Sequence, residues 1–308
     1  MLMKKQEQIF QMINSVTAYH ELLQLDKPEH PLVSIIDFSK VNYSNPPPGT
    51  SVIINLYCIS IKQGADCVMR YGPNTYDFSE GVMSFFKPGQ VVSVERQSEN
   101  VTDGYMLTFH PDFIQSFALA NKIKKYGFFD YAVSEALFLS EKEKKHIREI
   151  MAGTEGEYHT NIDGFSQDAI VGYIDLLLVY ANRYYNRQFI TRKPQNDQLS
   201  VRFEQLLDEY FSKDDALAKG LPSVQYFADK MHLSANYLGE MLRVSTGQSA
   251  QHHIQNKVIE MTKTLLTTTH LSVAEIAYQL GFERPQSLNR LFKSKTNTSP
   301  LEYRASFN

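Results

Sequence analysis

The 308-residue sequence has only two cysteines, Cys58 and Cys67. Two thiols make neither a disulfide framework nor a zinc ligand set, and Cys58, in an apolar run, reads as a buried thiol. An excess of one charge is also lacking. Lys and Arg number 31 against 34 Asp and Glu, a net charge of −3, so the whole-chain balance does not announce a nucleic-acid binder. No apolar run approaches the ~18 residues of a membrane span. Lys4 and Lys5 are not followed by an apolar segment, so no secretory signal is expected and the cytoplasm is the expected location. Histidine is scarce in the β-rich stretch 31–110, where only His110 stands, at its end. Metal-dependent barrel enzymes need His and carboxylate ligands converging from neighbouring strands. Neither an enzyme nor a cofactor or metal is therefore expected. His252 and His253 are adjacent rather than one turn apart and do not change that.

What is present is unevenly distributed. Residues 220–308 carry nine Lys and Arg against six Asp and Glu, and the rest carries 22 against 28. Residues 6–25 read as a short amphipathic helix with Ile9, Phe10, Ile13, Val16 and Leu22 on one face. Between 31 and 110, β-rich runs at 33–38, 52–62, 67–71, 81–86, 91–95 and 105–110 alternate with Gly- and Pro-containing turns, the pattern of a barrel or sandwich. Residues 111–189 return to helix. Ser140 and Glu143 form a capping box, and 165–185 is apolar nearly all round, as a helix buried on more than one side would be. Residues 190–200 are polar and contain Pro194, the best linker candidate. The expected division is thus 1–189, linker 190–200, and 201–308, an α+β chain with a β-rich first domain and an all-α second one.

The second domain repeats itself. Ser223 to Arg243 and Ser272 to Lys293 align so that Ala228 matches Ala277, Leu233 matches Phe282 and Leu238 matches Leu288. Each copy has helix-turn-helix grammar: a Ser cap, a small residue where two helices cross, a short turn, then a helix with an apolar stripe. Gly247 and Asn297 stand at corresponding helix ends, and both tolerate the left-handed conformation used there. Between the copies, 249–266 reads as one helix of ~27 Å, which would set two reading helices into successive major-groove segments ~34 Å apart.

Ile276-Ala277, Leu280-Gly281-Phe282, Leu288, Arg290, Phe292-Lys293, Ser299-Pro300 and Tyr303-Arg304 resemble the signature of the AraC/XylS family of bacterial transcription regulators. Asn297 replaces the family's usual Gly, and Ser287-Leu288 its common aromatic pair. The resemblance implies a double helix-turn-helix domain that binds double-stranded DNA. It also implies a cupin-like N-terminal β-barrel with flanking helices, which binds a small-molecule effector and dimerises. A homodimer is expected, through the helix around 170–180, and RNA polymerase is a possible further partner.

On the first reading helix the candidate DNA contacts are Ser234, Asn236, Tyr237, Glu240 and Arg243. Asn suits an adenine edge and Glu a cytosine amino group. On the second they are Arg284, Gln286, Ser287, Asn289 and Arg290, with Lys293 and Lys295 cast as phosphate contacts. Gln286 and Arg290 share a face and suit adenine and guanine respectively. Candidates for an effector pocket are Tyr57, Arg70, Tyr71, Tyr76, Glu95 and Arg96, whose arginines would pair a carboxylate or phosphate.

Overall fold

The computed structural model describes residues 10–41, 51–63, 68–71, 74–77, 81–93, 103–131, 135–160, 163–191, 193–212 and 215–307. The chain forms two compact units, 1–188 and 189–308.

The first unit is built on sheets. A five-stranded sheet has the order β10-β7-β4-β9-β2, from β2 (Val33–Asp37), β4 (Tyr57–Gln63), β7 (Val82–Phe86), β9 (Asp103–Phe109) and β10 (Leu137–Phe138). A three-stranded sheet has the order β1-β3-β8, from β1 (Phe10–Ile13), β3 (Ser51–Ile54) and β8 (Gln90–Ser93). A hairpin pairs β5 (Val68–Tyr71) with β6 (Asn74–Asp77). Ile13, Val52 and Ile54 of the small sheet share one buried core with Ile36, Cys58 and Met106 of the large one. Among the described residues these are open sheets packed face to face, and no closed barrel forms.

Two expectations change here. Residues 10–13 are a strand paired in parallel with β3, not the start of a helix. The register pairs Gln11 with Val52 and Ile13 with Ile54, and Ile13 is buried in the core. The helix begins only after Ser15, whose side chain accepts from Ala18 N at 3.1 Å, and runs as α1 (Val16–Leu22). The run 52–62 divides into β3 and β4, which lie in different sheets.

On the outer face of the large sheet, Phe85, Phe128 and Tyr185 pack together, Phe128 and Tyr185 stacked at 5.4 Å. α2 (Leu119–Lys122), α3 (Glu141–Tyr158) and α4 (Ser166–Thr191) complete this unit's helices. α3 opens on the foreseen capping box, with Ser140 N donating to Glu143 at 2.8 Å. The stretch 190–200 is helical on either side of residue 192, because α4 ends at Thr191 and α5 (Lys193–Ser212) begins at Lys193.

The second unit is all α. After α5 and α6 (Asp215–Lys219), the first copy is α7 (Val224–Met231) and α8 (Ala235–Thr246). α9 (Ala250–Thr268) follows, then the second copy, α10 (Val273–Gln279) and α11 (Pro285–Thr296), and finally α12 (Pro300–Ala305). The repeat recurs in the hydrogen bonds. Leu233 N donates to Ala228 O, and Phe282 N to Ala277 O, both at 2.9 Å. Gly247 (φ 76°) and Asn297 (φ 62°) end α8 and α11 in the left-handed conformation. Capping boxes at Ser272/Glu275 and Ser299/Glu302 hold both glutamates below the ordinary carboxylate range, through bonds from the serine hydroxyls and backbone N–H groups.

One junction ties the copies together directly. Leu221 N donates to Gly281 O at 3.1 Å, and Tyr210 Oη donates to Gly220 O at 2.8 Å. Gly281, at φ +87°, has no room for a side chain: a Cβ there would lie 2.5 Å from Gly220 C and 2.7 Å from Ala216 O.

Gly281→Ala should therefore cost on the order of 3 kcal/mol, combining left-handed strain with a backbone clash. Gly247→Ala, where a Cβ meets nothing within 4 Å, should cost only about 1 kcal/mol. Urea denaturation of the two variants measures the difference, and equal losses would contradict the junction. A second expectation concerns Cys58, whose thiol burial pushes up to about 12 against a weaker opposing bond from Thr108. In a Cys67→Ser background, Cys58 should resist labelling at pH 8 until the domain opens; labelling at the rate of free cysteine would contradict the packing.

Candidate nucleic-acid interface

Burial decides which face of each reading helix is available. In α8, Leu238, Met241 and Leu242 are fully buried, and in α11 Leu288 and Phe292. Ala228 and Ala277 are likewise closed off, where α7 and α10 cross their partners. At 100° per residue, turning these stripes inward turns the opposite faces outward. Asn236 and Arg243 on α8 are exposed, with Gly239 and Glu240 half-buried between them. Gln286, Ser287, Asn289, Arg290 and Lys293 on α11 are all exposed, as is Arg284 at its N-cap.

The two faces differ in electrostatics. On α8, Arg243 Nη2 lies 2.6 Å and Nε 3.2 Å from the same Glu240 oxygen, so the helix carries an internal ion pair. The guanidinium partly neutralises the carboxylate that DNA would otherwise repel. On α11, Arg284, Gln286 and Arg290 have no side-chain partner among the described residues, and Lys293 interacts through charge alone with Glu302. Lys295 reaches Asn256 of α9 at a long 3.4 Å. The second head presents unpaired cations, the first a paired one.

Two residues expected at the groove are otherwise engaged. Ser234 is the N-cap of α8 and accepts from Tyr237 N at 3.1 Å. Tyr237 is only 6% exposed and packs against Phe189 at 5.1 Å, so its ring belongs to the core. The buried pairs Tyr237-Leu238 and Met241-Leu242, four residues apart, carried that signal.

Arg304 also has a role that charge counting missed. Its Nε donates to Leu266 O at 3.0 Å and its Nη2 to Leu271 O at 2.6 Å. It thereby satisfies one carbonyl that the end of α9 leaves open, Leu266 O, and one in the segment before α10, Leu271 O, and it ties α12 to the connecting helix. Arg304 is a structural cation.

In the first unit, Tyr57 is half-buried, stacked on Phe109 at 5.2 Å and edge-on to Phe129. Burial raises its phenol above the ordinary value. It faces the aromatic side of the large sheet. Arg70, Tyr71 and Tyr76 lie on the β5–β6 hairpin, where only the backbone is described, and Glu95 and Arg96 lie outside the described residues. A cleft of about 350 Å³ in this unit lies elsewhere, between β2, the segment 24–29 and the end of α3.

Comparison with known proteins agrees with this geometry on both sides. A helix-turn-helix domain model matches residues 227–306, and a model described as an AraC-like ligand binding domain matches 59–146. An uncharacterized HTH-type transcriptional regulator of Escherichia coli, YijO, is 27% identical over 131 residues, 42% of this chain and 45% of that protein. The arabinose operon regulatory protein of Escherichia coli is 31% identical over 91 residues, 30% of this chain and 31% of its own length. The C-terminal domain of the response regulator yesN from Fusobacterium nucleatum is 27% identical, covering 35% of this chain and 98% of that domain, with a TM-score of 0.31. The chain spans less than half the length of these two curated relatives. Both matching models describe regulatory rather than catalytic domains. The chain thus matches an AraC-like ligand binding domain model ahead of a helix-turn-helix domain model, the general layout of AraC-type regulators.

The contrast between the heads has a measurable consequence. Lys293→Ala should lower the slope of log affinity against log salt by about 0.9 while leaving base preference intact. Arg290→Ala should cost about 1–3 kcal/mol on the preferred site and relax the choice of base there. Titrations on preferred and scrambled duplexes at several salt concentrations distinguish the two; exchanged phenotypes would contradict the assignment.

Proposed function

We propose that the chain is a homodimeric, sequence-specific regulator of transcription whose DNA presentation is set by a small molecule bound to its N-terminal domain. The observation that carries the reading is the pair of helices α8 and α11, each with its apolar stripe buried and a polar face outward. They are joined by α9, whose 19 residues span about 28 Å, a length suited to successive major-groove segments. Asn236, Glu240 and Arg243 are assigned to base reading by the first head. Arg284, Gln286, Asn289 and Arg290 are assigned to the second, with Ser287 beside them and Lys293 and Lys295 on the phosphates. Ser234 is kept only as an adjacent backbone-level contact, and Tyr237 as the residue that seats α8.

The two packed sheets are read as the walls of a cupin-like domain, and 190–200 as the segment joining it to the DNA-binding domain. Dimerisation is assigned to the outer face of α4, where Leu176 and Val179 are 42% and 43% exposed. Gly172, with nothing within 4 Å of its Cβ position, continues that stripe one turn earlier. A dimer pairs the double heads on a two-fold site, and a bound effector shifts their arrangement only if it binds one arrangement more tightly. Contact with RNA polymerase would follow if the protein activates.

Sedimentation equilibrium at micromolar concentration tests the dimer. The wild type should sediment as a dimer, and Leu176→Glu with Val179→Glu as a folded monomer. A monomeric wild type, or a variant that stays dimeric, would refute the α4 interface. Genome-wide mapping of bound DNA tests the regulatory role, which predicts discrete sites upstream of genes; uniform occupancy would sink it.

A further inference from the structure

The cleft of about 350 Å³ in the first unit lies at the open edge of the large sheet, where Ile36 and Leu25 at the margin of the core also line it. β2 is the edge strand. His110 N donates to Leu32 O at 2.8 Å, which fixes the phase of pairing with β9. Alternate residues 32, 34 and 36 bond β9, so the backbone groups of Ile35 and Asp37 face away from it, toward the cleft. The other walls are the segment 24–29 and the last turn of α3.

Its lining is specific in charge. Four carboxylates, Asp26, Glu29, Asp37 and Glu155, face two ammonium groups, Lys27 and Lys40. Lys27 and Lys40 are exposed at the rim, whereas Asp37 and Glu155 are half-buried in the wall. Glu29 is engaged by His159 at 2.7 Å, and Asp37 caps Ser39 N at 2.9 Å with one oxygen. Glu155 has no side-chain partner among the described residues. The neighbouring Tyr105 phenol is raised by burial first, then by the charges of Glu155 and Asp37, against an opposing charge from Arg148. No group of three His, Cys, Asp or Glu among the described residues could hold a metal ion.

Two further side chains supply hydrogen bonds. Tyr158, 7% exposed, accepts Glu29 N–H at 2.7 Å, and its own proton has no acceptor among the described residues. His20, also 7% exposed, bonds Asp26 O at 2.6 Å through Nδ1 and Ser34 Oγ at 2.8 Å through Nε2. A carbonyl only accepts, so Nδ1 carries a proton. His20 is thus a fixed pillar between the cleft and the sheet.

We propose that this cleft binds a small protonated amino alcohol or amino sugar, its ammonium group against Glu155 and Asp37 and a hydroxyl oxygen accepting from Tyr158. The volume lies at the lower end of the range of about 300–1,000 Å³ for ligand pockets, which suits such a ligand. The sign is opposite to the anion that Arg70 or Arg96 would select. The proposal deepens the effector reading by naming a site and a ligand class; the dimer and DNA assignments do not depend on it.

Glucosamine, glucose and glucuronate have one shape and three charges, which makes them the test. At equal ionic strength and 10 mM on the order of a weak-site concentration, glucosamine should raise the thermal midpoint of the full chain, and glucose and glucuronate should not. Glu155→Gln breaks no bond in the protein, so it should keep the unliganded midpoint and lose at least tenfold in glucosamine affinity by calorimetry. Tyr158→Phe should weaken binding less. A response to glucuronate or glucose instead, no response to glucosamine, or a glucosamine response unchanged in Glu155→Gln would each overturn the proposal. DNA binding measured on the same samples reports separately on the regulatory reading: loss of glucosamine binding with DNA binding intact would remove the cleft alone.

Discussion

The second unit depends on one physical constraint: five apolar side chains, Leu238, Met241, Leu242, Leu288 and Phe292, cannot be left in water. Fully burying each contributes roughly 1.5–3 kcal/mol, and doing so fixes the rotation of α8 and α11 about their own axes. The polar faces follow as a consequence. Asn236 and Arg243 emerge from one helix and Gln286, Asn289 and Arg290 from the other because the opposite sides are taken. Everything else in the domain holds those two rotations in register. α9 sets the separation, Arg304 holds the carbonyl of Leu266 near its end and that of Leu271 just beyond it, and the Leu221–Gly281 bond joins the approach to the first copy with the turn of the second.

The heads are alike in backbone and unlike in charge. α8 carries its arginine already paired with Glu240, and α11 carries Arg290, with Arg284 at its N-cap, free of any ion pair among the described residues. Unpaired cations attract any phosphate, whereas a guanidinium oriented by a carboxylate is committed in direction before DNA arrives. That is a physical basis for more general affinity at the second head and for a larger share of the proposed selectivity at the first. It also accounts for an acidic residue on a face proposed to meet DNA.

Much of the second unit was legible in the sequence because its signals are local. Capping serines, the left-handed ends at Gly247 and Asn297, and stripes at helical spacing are each written within a dozen residues. What escaped was long-range. That Tyr237 seats against Phe189, and that Arg304 bonds the end of a helix 38 residues earlier, depends on packing no window reveals. In the first unit the strands could be read but not their assignment to sheets. Residues 10–13 have apolar spacing compatible with a helix, and only pairing with Ser51–Ile54 makes them a strand. The cleft beside β2 was invisible for the same reason: Asp37 lies more than a hundred residues before Glu155 and Tyr158, and they meet only because α3 ends beside the sheet edge.

The central claim is that one chain reads DNA through two helices held at fixed separation. Selection of bound sites from random duplexes by the full chain, followed by base-by-base interference mapping, tests it most directly. The account predicts two patches of base-specific contact per chain, one helical turn or about 10 base pairs apart on one face of the duplex. A single patch, or two patches whose spacing varies freely among selected sites, would contradict it.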